Sequence, residues 1–357
     1  MLAELRDASF NMISTSTQPF TYFLDSGQLL GSSDSRGVAL GDLDGDGDLD
    51  AFVVNIQGQP NKVWLNNGHG IFIDSDQALD NSDSYGIALG DVDKDGDLDA
   101  FVANRDQGNK IWLNDGTGIF IDSGQSLGTL GNRGIALGDL DGDGDLDAFI
   151  ARENRPDTVW LNDGTGNYAD SGQVLGNSFG IGLAMGDVDG DGDLDVFVAN
   201  AGISQVWLNN GSGIFTATAQ TFTASASRGI ALGDVDRDGD LDAFEVNDLQ
   251  PNKLWRNRGN GIFEDSGQAM SSSTDSRGVA FGDIDGDGDL DAFVVNLQGQ
   301  PNEYWLNNGS GILTNSGQSI GNSHSHGVAL GDLDGDGDLD AFVVNENQPN
   351  KVWLILR

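Results

Sequence analysis

Short apolar runs, four or five residues each, return along this chain in a fixed order every 47–49 residues, separated by acidic and glycine-rich stretches. In the first repeat Gly37–Leu40 reads as an inner strand that leads into an acidic loop. Asp50–Val54 is nearly continuous apolar sequence, as expected of a strand covered on both faces. Lys62–Asn66 reads as a third strand. Asn67-Gly68 then supplies a tight hairpin, and Gly70–Asp74 reads as a fourth strand. Equivalent turns stand at Asp115-Gly116, Asp163-Gly164, Asn210-Gly211, Arg258-Gly259 and Asn308-Gly309. No segment carries a sustained helical period with caps. One tryptophan marks each repeat: Trp64, Trp112, Trp160, Trp207, Trp255, Trp305 and Trp353.

A period of this length built from short strands predicts an all-β fold, a seven-bladed β-propeller of four-stranded blades. The repeats start near residues 37, 86, 134, 182, 229, 278 and 327. The last stops at Arg357 without a fourth strand, while Phe23-Leu24-Asp25-Ser26-Gly27-Gln28 matches fourth-strand segments such as Phe120–Gln125. Residues 20–28 are therefore expected to complete the last blade and close the ring, removing two open edges. Residues 1–19 would form an N-terminal extension and 20–357 a single propeller, expected to be monomeric.

Charge sharpens this picture. The formal net charge is −40, from 57 acidic and 17 basic residues. Such a chain repels nucleic acid and anionic membrane, which are bound chiefly through Lys and Arg. No apolar run is long enough for a membrane helix, so no membrane insertion is expected. Cysteine is absent, which excludes disulfides and thiolate chemistry. Met1–Asn11 lacks the basic and apolar regions of a signal peptide, implying a leader already removed or a segment of a longer protein.

The acid is concentrated in seven loops of pattern D-x-D-x-D-G-x-x-D. They hold Asp42, Asp44, Asp46, Asp48 and Asp50; Asp91, Asp93, Asp95, Asp97 and Asp99; Asp139, Asp141, Asp143, Asp145 and Asp147; Asp187, Asp189, Asp191, Asp193 and Asp195; Asp234, Asp236, Asp238, Asp240 and Asp242; Asp283, Asp285, Asp287, Asp289 and Asp291; and Asp332, Asp334, Asp336, Asp338 and Asp340. Alternate carboxylates on a tight loop, a glycine such as Gly47 for the sharp turn and a carbonyl at Asp48 make a hard oxygen site. That donor set suits Ca2+, one ion per blade, better than Mg2+. An EF-hand would place Glu three residues after the last Asp; here Val53, Val102, Ile150, Val198, Val294 and Val343 stand there. The exception is Glu245, expected to be a local extra ligand or an edge-exposed side chain.

Strand–DxDGDGDxD–strand units repeated seven times resemble the FG-GAP/VCBS-type repeats of the integrin α-subunit head and of bacterial surface proteins, as well as related calcium-binding propeller lectins. The resemblance runs from about Phe20 to Arg357, although the Phe-Gly and Gly-Ala-Pro words give way here to Gly-Ile-Ala-Leu-Gly-Asp. It implies calcium between the first and second strands of the blades, on the face opposite the ligand-binding loops.

On that opposite face, Arg36, Tyr85, Arg133, Ile181, Arg228, Arg277 and His326 precede the seven inner strands and would ring one mouth of the channel. They could receive an anionic sugar or carboxylate, or each Arg could pair with acids and carbonyls of its own blade. The tryptophans read as core. The repeated Gln28, Gln77, Gln125, Gln173, Gln220, Gln268 and Gln318 read as structural hydrogen-bonders. The loops after the second strand vary most: Ile56–Pro60, Arg105–Gly108, Glu153–Pro156 and Ala201–Ser204. With three His, no Cys and no nucleophile elbow, the reading is a non-enzymatic, calcium-stabilised module. It would bind glycans or partner proteins, secreted or displayed at the cell surface. A calcium-dependent polysaccharide lyase and a purely structural scaffold are the alternatives.

Overall fold

The computed structural model describes residues 21–223, 225–268, 270 and 275–356. The expected extension, residues 1–19, lies outside the described residues, as does Phe20. Among the described residues every regular element is a strand, and no helix is long and apolar enough to cross a membrane.

In the first repeat Ser35–Gly41, Asp50–Asn55, Lys62–Asn66 and Phe72–Asp74 form a four-stranded antiparallel sheet in chain order. The repeats beginning at Ser84 and Ser276 do the same. The third to fifth repeats join into one continuous sheet, because Asp147–Asn162 stays extended through the expected Glu153–Pro156 loop. There Glu153, Arg155 and Asp157 pair with Phe179, Ser178 and Leu175 of the following repeat. Ala201 and Gly202 likewise pair with Ala226 and Ser225. These two segments are strand rather than loop, since each finds a neighbouring edge to satisfy its backbone.

The inner strands stand side by side, and the last of them, Ser325–Gly331, returns to lie beside Ser35–Gly41. The molecule is thus a closed all-β propeller. Tyr22–Asp25 supplies the outer strand of the final sheet, with Tyr22 opposite Leu356, Phe23 opposite Ile355, Leu24 opposite Leu354 and Asp25 opposite Trp353.

The core lies between blades, which explains why the second strands carry no polar face: all six residues of Asp50–Asn55 are buried. Leu43, Phe52, Val54 and Val63 of one repeat pack against Ala100, Val102, Trp112 and Phe120 of the next. Phe52 meets Phe120 edge-on at 5.2 Å between centroids. Burying each such ring contributes about 1.5–3 kcal/mol. At the axis the inner strands approach as closely as backbone permits. A Cβ on Gly86 would stand 2.4 Å from the Arg133 carbonyl oxygen, and one on Gly37 would stand 3.1 Å from that of Tyr85.

Candidate metal centres and channel mouth

Each acidic loop leaves the inner strand and returns into the second. In the first, Asp42, Asp44 and Asp50 each offer a carboxylate oxygen within 4.8 Å of the others. The trios Asp91/Asp93/Asp99, Asp139/Asp141/Asp147, Asp187/Asp189/Asp195 and Asp234/Asp236/Asp242 repeat it, with two more groups of this kind. Gly47 takes φ 95°, a left-handed turn that lets its N–H donate to Asp42 Oδ2 at 3.1 Å. Asp46 and Asp48 fall outside the trio. Asp46 Oδ1 accepts the Asp48 N–H at 3.0 Å, and the Asp48 carboxylate lies over hairpin Gly68.

Asp50 fixes the floor. Fully buried, it accepts the Leu43 N–H on Oδ2 at 2.9 Å and the Asn66 N–H on Oδ1 at 2.7 Å. Burial pushes its carboxyl up to about 6, and pushes Asp242, Asp291 and Asp340 to about 7. Asp44 and Asp93 are raised by burial and then by the neighbouring carboxylates Asp46 and Asp95. Asp91 Oδ1, Asp189 Oδ1 and Asp236 Oδ1 are buried without a hydrogen-bond donor. Hard, crowded oxygens lacking donors fit a cation, so these clusters could hold metal ions. Each loop is also braced by the next blade: Asn114 Nδ2 donates to Leu43 O at 2.8 Å, and Asn66 Nδ2 to Leu333 O at 2.8 Å. Lys94, standing where most loops carry glycine, pairs with Asp145 of the following loop, and Arg237 likewise pairs with Asp289.

At the other end of the inner strands, six residues and about 20 Å away, the register slips by one residue in all seven repeats. The slips fall between Ser35 and Gly37, Ser84 and Gly86, Asn132 and Gly134, Gly180 and Gly182, Ser227 and Gly229, Ser276 and Gly278, and Ser325 and Gly327. Each bulge re-aims its extra residue. Arg36, Tyr85, Arg133, Ile181, Arg228, Arg277 and His326 consequently line one cavity of about 190 Å3.

The guanidiniums there are already paired. Arg36 Nη2 meets Asp34 Oδ1 at 2.7 Å, Arg133 Nη2 meets Glu153 Oε2 at 2.6 Å, and Arg277 Nη2 meets Asp275 Oδ1 at 2.6 Å. Arg228 pairs with Asp248. Arg133 also stacks 3.9 Å from the Tyr85 ring centroid. His326, held against Arg36 and 2.9 Å from Glu346 Oε2, is pushed down to about 4 by burial and then by Arg36, so its ring is neutral at pH 7. Nε of Arg36, Arg228 and Arg277 keeps no hydrogen-bond partner.

Gln28 donates to Gly70 O and accepts the Phe72 N–H of the next blade. Gln77, Gln125, Gln173 and Gln268 repeat this bridge, while Gln220 and Gln318 grip both the N–H and the carbonyl of one residue of the next blade, Phe263 and Phe23. The tryptophans are core, none more than 9% exposed. Glu245 is neither edge-exposed nor in the metal trio. It is fully buried and accepts from Ser204 Oγ at 2.5 Å, Ser227 Oγ at 2.6 Å and Trp255 Nε1 at 3.0 Å, donors that make an apolar position habitable for a carboxylate.

The chain belongs to the FG-GAP-like repeat family, whose model matches residues 42–102, 91–150, 139–198, 187–245, 234–294 and 283–343. Among solved structures it is similar to the BP39L lectin from Burkholderia pseudomallei, at 13% identity and TM-score 0.67 over 91% of this chain and 96% of that one. It is also similar to an Agrocybe aegerita lectin described for specific recognition of non-reducing terminal N-acetylglucosamine, at 19% identity and TM-score 0.56 over 83% and 82%. BBS1N in complex with ARL6DN shares 11% identity and TM-score 0.63 over 94% and 97%. At these identities the likeness is one of fold. No curated protein matches.

Proposed function

We propose that this chain is a calcium-stabilised, non-enzymatic binding module that takes glycans or partner proteins on the face opposite its metal loops. The channel mouth carries this reading. Seven bulges turn seven side chains into one cavity, four of them arginine and the others Tyr85, Ile181 and His326, while every acidic loop keeps the same five aspartates. Repetition is what a scaffold requires; a cationic mouth interrupted by an aromatic, an aliphatic and an imidazole side chain offers the asymmetric contacts that selective recognition uses. The lectins that share this architecture support a glycan as the ligand. Since the mouth cations are matched by carboxylates, the ligand should offer hydroxyls and amides as well as any acid group.

Calcium is the cation of choice because an all-oxygen donor set on a flexible loop tolerates its larger, irregular shell. We put the working protein outside the cell or on its surface, where calcium levels would fill loops with the affinity of extracellular modules. A glycan array run in calcium and again in chelator tests the ligand. Binding of defined glycans, weakened in R36K or R277K, which keep a cation beside buried Asp34 or Asp275 but lose the planar fork, is expected. An array without binders, with a partner protein instead recovered on the mouth, would move the ligand to the protein class. An unchanged melting temperature after verified calcium removal would refute the role of the metal.

A further inference from the structure

Six repeats carry leucine directly after the strand-three tryptophan, and in five of them, Leu65 and Leu113 among them, this side chain packs under a hairpin glycine of the next blade. The fifth repeat carries Arg256 there instead. Its Nη1 pairs with Asp236 Oδ2, and its Nη2 donates to Ser310 O at 2.8 Å and to Gly311 O at 3.1 Å in the sixth-repeat hairpin. Asp236 belongs to the Asp234/Asp236/Asp242 trio, so a permanent cation already sits on one of the three converging carboxylates. Lys94 differs in this respect, because it contacts Asp145, which lies outside the Asp139/Asp141/Asp147 trio; Arg237 contacts Asp289, which holds the same loop position as Asp145.

We infer that the acidic loops are not equivalent: the fifth is the weak calcium site, with the Arg256 guanidinium doing in place what the ion does elsewhere. It neutralises Asp236 and ties the loop to the neighbouring hairpin. Resting on the calcium reading above, this inference adds which loop fills last and why. Asp236 Oδ1 is buried without a donor, so the loop keeps a free ligand atom and weakened rather than abolished binding follows. A guanidinium about 5 Å from a divalent ion, at effective dielectrics between about 80 and 50, weakens its binding roughly ten- to a hundredfold.

The test is a calcium titration of the intact chain, with bound ions counted by native mass spectrometry, in the wild type, R256L and R256Q. R256L installs the residue of the other repeats; R256Q removes only the charge and guards against a packing failure. The wild type is expected to fill six sites together and a seventh at ten- to a hundredfold higher calcium. In either variant the seventh should join the others, and D234N added to that variant should remove one ion from the tight set again. Seven equal sites in the wild type, or a late seventh site unmoved by both variants, overturns the inference while leaving the calcium reading intact. A chain that binds no calcium overturns both.

Discussion

Phe23 sits at the one junction where the fourth strand of a sheet is not joined to the third by a hairpin. Its ring is 1% exposed and meets Phe293 and Tyr304 edge-on, at 5.1 and 5.4 Å between centroids. Substituting Phe23→Ala removes a packed aromatic side chain, a change that costs about 3–5 kcal/mol. The equivalent Phe72 of the first blade is 5% exposed and meets Phe342 at 5.1 Å, so Phe72→Ala removes similar packing. The difference is covalent. Phe72–Asp74 is tethered to Lys62–Asn66 by a short hairpin, whereas Tyr22–Asp25 has no such hairpin to Lys351–Leu356 and is held by four residue pairs, the Ser26 N–H to Val352 O bond, the Gln318 bridge to Phe23 and side-chain packing. Loss at Phe72 should therefore appear as lower global stability, and loss at Phe23 as local detachment of the closing strand. At 1.4 kcal/mol per factor of ten, the opening equilibrium in F23A rises by about a hundredfold or more. Hydrogen exchange followed by mass spectrometry reads this directly: amides of residues 22–25 and 351–356 should exchange at least a hundredfold faster in F23A, with the first repeat unchanged. Uniform acceleration over the whole chain, or a seam no faster than in F72A, would refute the tether argument.

Other outcomes follow from the same contacts. Gln173→Leu strands the Phe215 N–H and the Gly213 carbonyl at one blade junction, and should lower stability in urea unfolding by about 1–3 kcal/mol. Glu245→Val installs the residue type of the other repeats yet leaves two serine hydroxyls and the Trp255 N–H unpaired, so a loss of about 1–3 kcal/mol is expected in the same assay. In chelator, the carboxyls raised to about 6 or 7, Asp50 and Asp340 among them, bind protons more tightly folded than unfolded. Their contribution is full below the ordinary value of 3.8 and is lost as pH rises through 6 to 7, so the metal-free melting temperature should fall between pH 5 and 7.5. In saturating calcium the trend should reverse, because protons then compete with the ion; thermal melts across pH in both conditions check the sign.

The repeat was legible because its parts obey local rules. Apolar runs of strand length, Asn-Gly or Asp-Gly hairpins and glycines at fixed places predict strands and loops from neighbouring residues alone. The glutamines could be read as structural hydrogen-bonders because each stands at the same step of every repeat, but that they join neighbouring blades is seen only in the fold. The mouth residues were found by position, but not the bulges that present them, since a register slip depends on which residues of the partner strand pair. Asp34 and Asp275 stand two residues before Arg36 and Arg277, whereas Glu153 and Asp248, which face Arg133 and Arg228, lie in the variable segments after the second strand, so one sequence left open whether each guanidinium meets a ligand or its own blade. Glu245 misled for a related reason: its partners Ser204 and Ser227 are 41 and 18 residues away, and Ser204 belongs to the preceding blade. Arg256 occupied a position that alternation marks as outward-facing on a strand, and its partners, Asp236 and the Ser310–Gly311 hairpin, are brought to it only by the fold.

The glycines at the axis have a consequence for how fast and how selectively the mouth can work. With backbone against backbone at Gly37 and Gly86, the diameter of the opening is set by the main chain and cannot breathe to suit a guest. A ligand taken at the proposed mouth would have to fit a rigid ring on arrival, which would keep the entropy lost on docking small and make size an exclusion rule. On that proposal, exchanging Arg36 or His326 would change what the ring recognises, while only a change in the number of blades would change how large a guest it admits.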